Sequence, residues 1–109
     1  MTIDTCKKLV ESMTPEGVDE ALFLHFLSEL EGRIKIELFG EELADTVGFD
    51  VETAKDTRLV VPHPYDQIYW MYLMAMMGFV RGDTARYENA AAMFNMAYQN
   101  YGKLLKRRG

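Results

Sequence analysis

The chain has 109 residues and a formal net charge of −5, enough for one core and too few for two. That acidity argues against a broad surface wrapping nucleic-acid phosphates. A hydrophobic content of 49% excludes a disordered chain, and a lone cysteine, Cys6, excludes an internal disulfide.

Eight methionines and thirteen aromatic residues predict a bulky, adaptable core or an adhesive contact surface. The N-terminus lacks the basic-then-apolar order of a signal peptide. The most apolar run, Ile68 to Val80, falls short of the ~20 residues that a bilayer span takes. The expectation is a soluble protein of the cytoplasm, one domain over residues 1–109.

Thr2 to Met13 reads as a short helix capped by Thr2 or Asp4, with Ile3, Cys6, Leu9 or Val10, and Met13 on its apolar side. Cys6 is there a small buried hydrophobe, since a reactive thiol needs a positive neighbourhood. The turn Thr14-Pro15-Glu16-Gly17 ends the helix.

Asp19 is placed to cap a longer helix running to Phe39. Leu22, Phe23, Phe26, Leu27, Leu30, Ile34 and Leu38 form its core stripe. Glu20, Glu29, Glu31, Lys35 and Glu37 form the solvated side, with Glu31 and Lys35 spaced as a favourable ion pair. His25 falls at the rim, and Gly40 is a natural stop.

From Gly40 to Arg58 the periodicity vanishes. The segment carries Glu41, Glu42, Asp45, Asp50, Glu52 and Asp56. Two readings are open: a solvated acidic loop with a helical turn at Val51 to Lys55, or an arm that orders against a neighbouring subunit.

Val61 and His63 are expected to be extended, because Pro62 and Pro64 each push the preceding residue out of the helical region. Pro64 is expected among the first residues of a third helix, with Asp66 in its first turn. Tyr65, Ile68, Tyr69, Tyr72, Leu73, Met76, Phe79 and Val80 fall on one stripe, and Trp70, Met71, Met74 and Met77 on the other sides. A helix apolar almost all round is central, or covered by a partner. Gly78 and the turn Arg81-Gly82-Asp83-Thr84 close it. Arg81-Gly82-Asp83 is also a tripeptide read by cell-adhesion receptors, a role at odds with a cytoplasmic chain.

Asp83 or Thr84 caps a last helix from about Ala85 to Lys106, with Tyr87, Phe94, Tyr98, Tyr101 and Leu105 along one side. The short turn makes the last two helices an antiparallel hairpin. Tyr65, Tyr69, Tyr72, Tyr87, Phe94, Tyr98 and Tyr101 are the residues expected to pack it. Lys103 and Lys106-Arg107-Arg108 form a basic end that suits a helix C-terminus. The fold class is therefore all-α, a small four-helix bundle of short helix, long helix, long acidic loop and C-terminal hairpin.

Nothing in the pattern points to catalysis, a cofactor or a metal. Glu37 and Glu41 are four apart, but no second carboxylate set follows. Ser12 and Ser28, the only serines, lack a nucleophile-elbow context. Neither late helix groups the Arg, Lys, Asn and Gln residues of a DNA-reading helix. The loop carboxylates, with Trp70, Met74 and Met77, are instead the candidates for contact with another subunit.

From Val61 onward, Val61-Pro62-His63-Pro64-Tyr65-Asp66, then Tyr69, Tyr72 and Leu73, is similar to small prophage-encoded proteins of Gram-positive bacteria. Tyr87-Glu88-Asn89, Met93-Phe94-Asn95-Met96-Ala97-Tyr98 and Tyr101 extend the similarity. It covers roughly the C-terminal half and the segment Leu27 to Ile34. The chain resembles virion morphogenesis proteins, most closely the head–tail connector (adaptor) class. It departs from that pattern at Met76-Met77-Gly78-Phe79, where a more polar stretch is expected. The resemblance implies a structural subunit in a homo-oligomeric ring beneath the portal, prolonging the DNA channel. Its partners would be the portal and tail-completion proteins, with DNA passing nearby and no sequence-specific binding or membrane contact. Its location would be the host cytoplasm during assembly, then the virion. The alternative is a prophage-encoded protein-binding or regulatory module.

Overall fold

A computed structural model describes residues 1–108. Its regular structure is all-α: α1 (Ile3–Met13), α2 (Glu20–Glu37), a 3-10 turn (Leu43–Asp45), α3 (Gln67–Val80) and α4 (Thr84–Arg108). The backbone divides into two compact units, Met1–Pro62 and His63–Gly109.

In the first unit, each helix start is set by a side chain. Thr2 Oγ1 accepts the Thr5 N–H at 3.1 Å, and Asp19 Oδ1 accepts the Leu22 N–H at 3.0 Å. α1 ends where Thr14 turns inward and its hydroxyl donates to the Val10 carbonyl at 2.6 Å. α2 stops at Glu37, two residues short of the expected Phe39. Gly40 takes φ +70°, which lets the Glu41 N–H return to the Lys35 carbonyl at 2.9 Å.

Ile3, Cys6 and Val10 are buried along α1, and Phe23, Leu24, Leu27, Leu30 and Ile34 along α2. Leu22, Phe26 and Leu38 are only half-buried, so the core face of α2 is rotated toward Leu24. That rotation carries Glu31 inward, and the expected solvated Glu31–Lys35 pair is corrected. Glu31 is 2% exposed, and its Oε2 accepts the Val60 N–H at 2.8 Å. An i,i+4 ion pair that this helix does carry is Arg33–Glu37, at 3.0 Å.

The acidic segment is tied to its own unit at several points. The Phe49 N–H donates to Ser28 Oγ at 2.9 Å, and Lys55 Nζ lies 2.6 Å from Glu20 Oε1. The Ile3 and Asp4 N–H groups donate to the Thr57 and Lys55 carbonyls, each at 3.0 Å. Those are first-turn amides of α1, which have no acceptor inside their own helix. The far end of the segment thus caps α1. Thr2 and Arg58 form an antiparallel bridge, and the Leu59 N–H reaches the Met1 carbonyl at 2.9 Å. The 3-10 turn falls at Leu43–Asp45, whereas Val51 to Lys55, where a helical turn was expected, holds only hydrogen-bonded turns.

In the second unit, α3 begins at Gln67, later than the two prolines led us to expect. Residues 63–66 form a turn, and Asp66 is the N-cap residue instead of a first-turn residue. Loose three-residue bonds from Ile68 to Tyr65 and from Tyr69 to Asp66 start the helix. Burial reaches all sides of α3: Ile68, Tyr69, Met71, Leu73, Ala75 and Met77 are each at most 7% exposed. Phe79 and Val80, expected on the buried stripe, instead stand 67% and 48% exposed.

Gly78 does not end α3. It lies one residue-pair inside the helix, where a Cβ would come within 2.9 Å of the Tyr87 backbone nitrogen. The reversal itself falls at Gly82, with φ +72°, and the Asp83 N–H bonds back to the Gly78 carbonyl at 2.9 Å. Asp83 then caps α4, accepting the Arg86 N–H at 3.1 Å. α3 and α4 pack on each other as the expected hairpin.

Candidate functional site: interaction surfaces on two units

The hairpin is held by aromatic pairs spread along its length. Tyr65 meets Tyr101 with ring centroids 5.2 Å apart, and Tyr72 meets Phe94 at 5.1 Å. Phe94 also touches Tyr98 at 5.4 Å, and Phe79 meets Tyr87 at 5.8 Å near the reversal. Such centroid distances suit offset or tilted ring contacts. Tyr69 is fully buried in the same unit. Burial pushes the Tyr101 hydroxyl above its usual pKa, with Arg108 pulling weakly the other way. These aromatic residues join the two helices of the hairpin.

On the first unit, the display is the acidic segment. Leu43, Val47 and Val51 stand 75%, 78% and 59% exposed. Glu42, Asp45, Glu52 and Asp56 are exposed among them, and Glu41 is half-buried. Asp50 is different, because its Oδ1 accepts the Glu52 N–H at 2.8 Å and so braces the loop itself. The apolar members escaped the sequence reading. Their signal was a β-branched or leucine residue every four positions inside an acidic stretch without helical periodicity.

On the second unit, Met93 and Met96 on α4 are exposed, with Phe79 and Val80 at the hairpin tip. Of the subunit-contact candidates on α3, Trp70 and Met74 are half-buried. Met77, at 2% exposed, is a core residue and not part of the surface that the chain displays. At the opposite end of the hairpin from the tip, Lys103, Lys106, Arg107 and Arg108 are exposed at the end of α4. A hollow there is lined by Tyr65, Asn100, Lys103, Leu104 and Arg107.

The residues that chemistry would need are dispersed. Cys6 is fully buried. Ser12 Oγ donates to the Leu9 carbonyl at 2.7 Å, and Ser28 serves the loop. His25 pairs with Glu29 at 3.2 Å, and His63 faces Asp66 at 3.7 Å. Asp83 of the Arg-Gly-Asp tripeptide is committed to capping α4. No three His, Cys, Asp or Glu side chains converge as metal ligands among the described residues. No helix among them is long and apolar enough to cross a membrane. No family model, curated protein or solved structure matches the chain.

Proposed function

We propose that this chain is a structural phage or prophage protein, a head–tail connector (adaptor) subunit that assembles beneath the portal and extends the DNA channel. The observation that carries the reading is the exposure of large apolar side chains on both units. Leu43, Val47 and Val51 lie on one, and Phe79, Met93 and Met96 on the other. Apolar groups left in water on two unlike surfaces fit a protein that is covered twice. Two unlike surfaces are also what a head-to-tail, ring-closing contact needs. The resemblance of Val61–Leu73 and Met93–Tyr98 to prophage morphogenesis proteins supplies the class. An acidic chain suits a channel through which DNA slides, because fixed cations would hold its phosphates. The subunit works by packing, first in the host cytoplasm and then in the virion.

A small hollow at the hairpin tip, between Phe79 and Tyr87, favours a second reading. It is the kind of feature that a prophage-encoded protein-binding or regulatory module would offer a peptide. Electron microscopy of the chain mixed with its portal separates the two. A ring of added density below the portal is the expected result. A chain that stays monomeric and leaves the portal bare supports the module.

A further inference from the structure

The two units differ in charge. Met1–Pro62 carries fourteen Asp and Glu against six Lys and Arg, net −8, while His63–Gly109 carries three against six, net +3. The unpaired charges concentrate at two places. Among the described residues, no ion pair engages Glu42, Asp45, Glu52 or Asp56 on the loop, nor Lys103, Lys106 or Arg107 on α4. We propose that the Glu42–Asp45 turn of one copy docks into the hollow at the basic end of α4 of a second copy.

The shapes and chemistry match. In the turn, Leu43 projects to solvent with 75% of its surface exposed, and Glu42 and Asp45 flank it. In the hollow, Leu104 and Tyr65 offer apolar wall while Lys103 and Arg107 stand one helical turn apart. Leu43 fills the hollow, and the two carboxylates meet the two cations. The turn is already ordered: the Asp45 N–H bonds to the Glu42 carbonyl at 3.0 Å, and Thr46 Oγ1 donates to the Leu43 carbonyl at 2.9 Å. A preformed knob loses less entropy on docking than a floppy arm would. Exposed ion pairs add little affinity, so the leucine supplies the adhesion and the charges set orientation and partner choice. Loop and helix end are different surfaces, so the contact is head-to-tail and repeats from copy to copy. The inference rests on the connector reading only in taking the neighbour to be another subunit of the same ring.

The test uses two full-length charge-reversed variants, Glu42→Lys/Asp45→Lys and Lys103→Glu/Arg107→Glu, followed by sedimentation velocity. Wild type is expected to self-associate with increasing concentration. That association should weaken as added salt shortens the screening length from about 10 Å to about 3 Å. Each variant alone is expected to stay monomeric with an unchanged circular-dichroism melt. Their equimolar mixture is expected to associate again, because each then meets the charge it lacks. Rescue by mixing cannot come from a folding defect. Wild type that is monomeric at every concentration, variants that associate like wild type, or a mixture that stays monomeric would each overturn the docking. Portal binding judges the other reading: ring density with both variants overturns the docking and leaves the connector standing. Rescued self-association without portal binding sinks the connector alone.

Discussion

The carboxylate of Glu31, on a residue 2% exposed, accepts the backbone N–H of Val60 at 2.8 Å. This bond ties the middle of α2 to Leu59–Val61, which bends at Val60 and Val61 instead of running extended, and whose Leu59 and Val61 are themselves buried. Glu31→Ala should remove the acceptor and leave that amide unsatisfied, a loss of about 1–3 kcal/mol. Glu31→Gln keeps an oxygen at the same reach and should lose clearly less. Urea denaturation of both variants checks the ordering; equal losses would mean that the charge, not the hydrogen bond, matters.

Gly78 sits where α3 and α4 come closest near their reversal. A Cβ there would lie 2.9 Å from the Tyr87 nitrogen and 3.2 Å from the Arg86 Cβ. Alanine normally gains about 1 kcal/mol over glycine inside a helix. Here the obstacle is backbone, which cannot swing aside as a side chain does. Gly78→Ala is therefore expected to destabilise, by about 1–3 kcal/mol as for overpacking in a core. A raised melting temperature would show that the hairpin opens freely at its tip.

Phe94 is 4% exposed and touches both Tyr72 and Tyr98. Phe94→Ala should lose about 3–5 kcal/mol, the usual range for truncating a buried aromatic. Tyr65→Leu, at the other end of the hairpin, keeps apolar bulk and gives up only the ring contact with Tyr101. Its loss should be about 0.5–1.5 kcal/mol. Thermal melts of the two variants give the comparison.

The helices, their caps and the hairpin could be read from the sequence because each rests on local chemistry. Asp19 precedes a run with helical spacing, Gly40 follows it, and Gly82 sits between two helical patterns. The fate of Glu31 could not be read that way. Its neighbours in sequence look solvated, and its partner Val60 is 29 residues away. The closure of the acidic segment was out of reach for the same reason, since Lys55, Thr57 and Leu59 bond to residues at the chain's start. Periodicity reports which face of an element is apolar. It does not report which distant amide needs an acceptor.

Glu20 offers a pH-dependent handle on that long-range closure. The Lys55 ammonium hydrogen-bonds its carboxylate, and this bond, then the Lys55 charge and the Lys7 charge, holds Glu20 below the ordinary glutamate pKa. A carboxyl lowered in the folded state adds stability above its unfolded pKa. That contribution disappears as pH falls through the folded value. The pair is open to solvent, so added salt should weaken it. Lys55→Met should move Glu20 back up toward its ordinary value in an NMR pH titration. An unmoved Glu20 would assign the effect to Lys7, which lies 3.6 Å away.

Ser28 tests whether the middle of the loop is held independently of its ends. Its Oγ accepts the Phe49 N–H at 2.9 Å, and Phe49 is half-buried. Gly48 makes this approach feasible, since a Cβ there would stand 2.8 Å from the same oxygen. Ser28→Ala deletes the acceptor without adding bulk, so Phe49 exchange should quicken several-fold to about tenfold. The Asp4 and Ile3 amides, bonded to Lys55 and Thr57, should keep their protection. Gly48→Ala should quicken the same amide by pushing the loop off the hydroxyl. If Phe49 is unaffected by either change, the loop is held only at its ends. Leu43 would then be presented on a pliable strap instead of a braced one, and the entropic advantage of a preformed knob would go with it.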